Sequence, residues 1–80
     1  MNASTPQNDA QSLTTRQKEI LRLVAQGYTN REIGERLDIS VRTVEVHRFN
    51  LMRRLRVRNV AQLLRQALAL HLISKGTVVK

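Results

Sequence analysis

No cysteine occurs in the 80 residues. Neither a disulfide framework nor a thiolate metal site can therefore support so small a fold. Imidazoles are almost as scarce. His47 and His71 are the only histidines, and neither has a carboxylate or a second histidine at ligand spacing, so no metal and no other cofactor is expected. No apolar run approaches the roughly 18 residues of a membrane span. The stretch MNASTPQNDAQS has neither the basic start nor the apolar core of a secretory signal. A soluble, cytoplasmic chain without a membrane partner is expected, and the absence of cysteine fits a reducing compartment. Catalytic signatures are missing as well: no paired carboxylates, no nucleophile with a base at hand, no glycine-rich phosphate loop. An enzyme is not expected.

Acid is also missing from the second half. Residues 46–80 carry eight basic side chains (Arg48, Arg53, Arg54, Arg56, Arg58, Arg65, Lys75, Lys80) and no aspartate or glutamate. Residues 1–45 carry six of each sign, so the whole net charge of +8 lies beyond Glu45. A polyanion is the natural partner, nucleic acid before an anionic membrane surface.

What is present is helical. Residues 1–12 are polar, contain Pro6 and have no apolar period, which predicts a disordered tail or linker. From Leu13 to about Ile73 no strand-like alternation occurs. Thr14 with Gln17, Thr29 with Glu32 and Asn59 with Gln62 have capping-box spacing, and Ser40 is a fourth N-cap without the reciprocal side chain. These starts predict helices over about 15–26, 30–37, from 41 onward, and 60–73. Ile20, Leu21 and Val24 form the inner face of the first, and Gly27 suits its left-handed end. Gly34 costs the second helix propensity, which predicts the close approach of another helix there. A short turn, "DIS", then joins the second helix to an arginine-rich third. That is a helix-turn-helix over about 30–54 in an all-α domain over about 13–73, with a C-terminal tail over 74–80.

On a wheel of about 100° per residue, Val44, Leu51 and Leu55 share one narrow sector of the third helix, flanked by His47, Arg48 and Met52. Arg42, Glu45, Val46, Phe49 and Arg53 fall on the opposite side. Cations, a carboxylate and apolar atoms together match the edges of DNA bases: guanine or phosphate for arginine, cytosine N4 for glutamate, the thymine methyl for valine and phenylalanine. Incidental exposure of two apolar side chains is the plainer alternative. The turn and the basic surround favour double-stranded DNA.

The string LTTRQKEILRLVAQGYTNREIGERLDISVRTVEVHRFNLMRRLRVRN resembles the LuxR-type (GerE-type) helix-turn-helix domain, in particular the effector domains of NarL/FixJ response regulators. The resemblance rests on Leu13-Thr14-x-Arg16, Gly27, Thr29-Asn30-x-Glu32-Ile33, Ile39-Ser40, Thr43-Val44-x-Val46-His47 and Leu55-x-Val57-Arg58, and RTVEVHR looks closest to the FixJ branch. It implies a bacterial regulator of transcription with four helices, the third serving as recognition helix in the major groove. The family's base-reading positions fall on Arg42, Glu45, Val46 and Phe49. Its backbone contacts fall on Thr29, Asn30, Thr43 and Arg58, and the basic Arg48 and Arg53 join them. The resemblance also implies a homodimer on DNA through the fourth helix, with RNA polymerase as a further partner. On that helix Leu63, Ala67 and Leu70 point one way; Ala61, Leu64, Leu68 and Leu72 point another. Ala61, Leu64 and Leu68 are expected to face the second copy. Departures from the family pattern are Glu45, where lysine or arginine is common, Phe49, where a small or polar residue is common, and Arg56, where glycine is frequent. Two rival readings share parts of this pattern: a sigma-factor region-4-like domain and a protein-interaction module built on the fourth helix. The chain is either the effector domain of a longer response regulator or a stand-alone GerE-like regulator.

Overall fold

The computed structural model describes residues 13–78, so the expected tail at 1–12 and the last two residues lie outside it. Four helices follow one another: α1 (Thr15–Ala25), α2 (Asn30–Leu37), α3 (Val41–Leu55) and α4 (Val60–Ala69). Among the described residues there is no strand. No helix among them is long and apolar enough to cross a membrane.

Each helix begins where a side chain satisfies its orphan N–H groups. Thr14 Oγ1 accepts from Gln17 N–H (3.0 Å), and Gln17 Oε1 accepts from Thr14 N–H (3.0 Å). Thr29 and Glu32 repeat the exchange at 3.1 and 2.8 Å. Both are full capping boxes. At α4 the box is only half formed. Asn59 Oδ1 accepts from Gln62 N–H (2.8 Å), but Gln62 Oε1 reaches one residue further back, to Arg58 N–H (2.8 Å). At α3, Ser40 Oγ accepts from Thr43 N–H (3.0 Å) and lies 2.9 Å from the Thr43 hydroxyl.

The helix ends were less legible. Only α1 ends on glycine, with Gly27 at φ 93°. Asp38, Arg56 and His71 take the same left-handed conformation without being glycine. α4 stops at Ala69, short of the expected Ile73. A Schellman turn ends it: His71 N–H donates to Leu68 O (3.1 Å) and Leu72 N–H to Ala67 O (2.8 Å). That turn splits both stripes: Leu70 is 37% exposed although Leu63 and Ala67 of its stripe are buried, and Leu72 packs against the core although it shares a stripe with Ala61, Leu64 and Leu68.

The core is one cluster drawn from all four helices. Leu13, Ile20, Leu21 and Val24 meet Ile33, then Val44, Leu51 and Leu55, then Leu63 and Ala67. α3 packs against each of the other helices, so its buried seam holds the domain together. Gly34 is buried at the turn. A Cβ there would lie 2.7 Å from the Ile39 carbonyl oxygen and 3.6 Å from the backbone N of Val41, so the close approach is made by the turn and the first residue of α3.

Candidate nucleic-acid interface

α3 is amphipathic in an uncommon way, since the face opposite its seam is neither plainly charged nor plainly apolar. Val44, Leu51 and Leu55 are buried as the wheel requires. Opposite them, Phe49 is 62% exposed and Val46 43% exposed. Phe and Val left in water forgo part of the burial worth about 1.5–3 kcal/mol to each such side chain, so this face carries apolar surface that a partner could cover. Arg42 and Glu45 flank it one turn apart. Their charged groups are 3.7 Å apart and the Arg42 side chain is 83% exposed, so the pair contributes little to stability and remains open to exchange partners. The Arg53 guanidinium lies over the Phe49 ring, 5.7 Å from its centre. That contact holds Arg53 along the same face.

The flanking residues are positioned by α2. Thr29 caps α2 and Asn30 opens it, so both stand at the positive end of a helix dipole. Arg48 Nη1 donates to Asn30 Oδ1 at 2.6 Å, which ties the middle of α3 to the start of α2. Burial lowers the Arg48 guanidinium below its ordinary value. Arginine is basic enough to stay charged at neutral pH all the same. The two residues expected to touch phosphate separately are thus joined to each other, and the guanidinium keeps further donors for a phosphate. Thr43 is half-buried, with its hydroxyl beside Ser40. Arg58 is exposed in the loop between α3 and α4.

The structure therefore gathers Arg42, Glu45, Val46, Phe49 and Arg53 on one surface, with Thr29, Asn30 and Arg48 along one edge. On α4, Leu63 and Ala67 are fully buried, whereas Ala61 is exposed and Leu64 and Leu68 are half-buried. Missing from the expected set were Gln17, Asn50 and Arg54, which line a cleft with Arg53 and Arg56. Their signal was the Gln17 capping box, which pins that side chain beside the end of α3. Among the described residues no group of histidine or acidic side chains could hold a metal ion.

Residues 11–67 match the family model described as bacterial regulatory proteins, luxR family. The chain belongs to that family. It is a DNA-binding domain of transcription regulation, and α2 and α3 are its helix-turn-helix. Among its relatives, the tetrathionate response regulatory protein TtrR of Salmonella typhimurium is 46% identical over 56 residues, which cover 70% of this chain and 27% of that protein. The transcriptional regulatory protein FixJ of Rhizobium meliloti is 44% identical over 59 residues, 74% of this chain and 29% of that one. The oxygen regulatory protein NreC of Staphylococcus carnosus is 45% identical over 56 residues, 70% and 26%. The luxR-family chain thus spans under a third of the length of each of these relatives. No solved structure matches it.

Proposed function

We propose that α3 of this luxR-family domain lies in the major groove of duplex DNA and reads an operator through Arg42, Glu45, Val46 and Phe49. Thr29, Asn30, Thr43, Arg48, Arg53 and Arg58 hold the phosphate backbone around it, and two copies pair through Ala61, Leu64 and Leu68. The observation that supports this most is the composition of the exposed face: Phe49 and Val46 stand in water between arginines and a glutamate, on a helix whose other side is the core of the domain. The relatives whose names mark them as response regulators, TtrR among them, support a place as the effector domain of a cytoplasmic response regulator.

Glu45 decides base preference. A carboxylate in the groove accepts hydrogen bonds, and cytosine N4 is the donor that suits it. Phosphates repel it, and Arg42 3.7 Å away offsets that repulsion. Phe49, one turn on, offers apolar contact to a thymine methyl. The half-site then holds a cytosine and a thymine within a few base pairs. Site selection from a random duplex library, run on the unaltered chain and on Glu45→Ala, tests this. The variant should lose preference at one position worth about 1–3 kcal/mol, while affinity for random DNA stays level or rises. An unchanged preference would mean that Glu45 pairs with Arg42 and reads nothing.

A further inference from the structure

Glu45 and Phe49 stand one turn apart on α3, separated by roughly 40° of rotation and roughly 6 Å of rise. They present a carboxylate and an aromatic ring side by side. Arg42 lies 3.7 Å from that carboxylate, whose side chain is still 49% exposed. The Arg53 guanidinium lies over the Phe49 ring, which is still 62% exposed. An acceptor and an apolar surface are thus both steadied by arginines, and both keep room for a base.

No unmodified base meets both demands in the major groove. Cytosine offers the N4 donor but only a hydrogen at C5. Thymine offers the C5 methyl, but its O4 is an acceptor that repels a carboxylate. Adenine offers the N6 donor without a methyl and with the N7 acceptor beside it. Cytosine methylated at C5 carries the donor and the methyl on neighbouring ring atoms. Methylation on N4 has the opposite consequence. The N4 hydrogen not engaged by guanine is replaced by carbon, and Glu45 is left without its donor.

We infer that this face senses methylation of the cytosine it reads: a C5 methyl strengthens the complex through Phe49, and an N4 methyl breaks it through Glu45. This rests on α3 reading bases from the major groove. The test is selection by the full chain from random duplex libraries copied with cytosine, 5-methylcytosine or N4-methylcytosine, separately tagged and mixed. At one cytosine position the unaltered chain should enrich the 5-methyl library roughly two- to fourfold, as burial of one methyl allows. It should deplete the N4-methyl library roughly fivefold or more, as loss of a base contact requires. Phe49→Ala should erase the first difference and keep the second, whereas Glu45→Ala should erase the second. Both side chains are exposed, so both variants should keep the parent's circular dichroism. Equal recovery of the three libraries by a chain that still selects a sequence would overturn the sensing and leave the groove reading standing. A 5-methyl preference that survives Phe49→Ala would overturn it too, since the methyl would then act through DNA shape. Selection of no sequence from any library would remove the groove reading, and this inference with it.

Discussion

Arg56 is the residue whose backbone is least at ease. It ends α3 at φ 60°, a conformation that costs an L-residue about 1–2 kcal/mol and glycine nothing comparable. Glycine loses more entropy on folding, which takes back part of that gain. Arg56→Gly should therefore stabilise the domain by about 0.5–1 kcal/mol, read as a higher urea midpoint with an unchanged slope. The same change removes a cation from the cleft at the end of α3, so duplex affinity should fall as stability rises. A variant that binds as well as the parent would show that Arg56 is not held left-handed for its charge. This residue also shows why helix ends were harder to read than helix starts. A start is written in the side chains of two residues three apart, whose hydrogen bonds are local. Three of the four ends rest on non-glycine residues, Asp38, Arg56 and His71, that carry no such mark.

Among the elements, α3 was the most legible and α4 the least. One face of α3 must fill the core, so its apolar seam and its outward face separate cleanly on a wheel. α4 has apolar side chains on too wide an arc for that. The apolar run LALHLI continues past its true end, and only the backbone turn at His71 sends Leu72 inward and leaves Leu70 out. The link between elements was invisible in the sequence because Asn30 and Arg48 are eighteen positions apart. Asn30 Oδ1 compensates a guanidinium that burial has partly stripped of water. Asn30→Ala should cost about 1–2 kcal/mol, more than an ordinary exposed first-turn substitution, and Arg48→Ala on that background should add little. The double-mutant cycle reads the coupling directly. Additive losses would mean that the 2.6 Å bond joins α2 to α3 without stabilising them.

At the scale of the whole molecule, one domain offers an operator only a small contact. A single module buries only about 600–1,000 Å² on DNA, and a second copy doubles the contacts for one association step. α4 divides its surface in a way that suits this. Leu63 and Ala67 are spent on the core. Gln62, Arg65 and Gln66 line a polar cleft with Arg56 and Val57. Ala61, Leu64 and Leu68 lie between these two faces on the wheel, and none of them belongs to the core cluster. We propose that this apolar stripe, left over after the core is complete on a helix that packs chiefly on α3 alone, is the surface for the second copy. The functional cost of breaking it should then be separable from the structural cost. Leu64→Asp puts a charge into the stripe without removing a core side chain, so the monomer should keep its helical circular dichroism and its affinity for a single half-site. It should lose cooperative binding to DNA carrying two half-sites. Leu63→Asp, one position away and fully buried, should unfold the domain instead. If Leu64→Asp also unfolds it, the stripe is core. If Leu64→Asp folds and still binds two half-sites cooperatively, the copies meet through another surface.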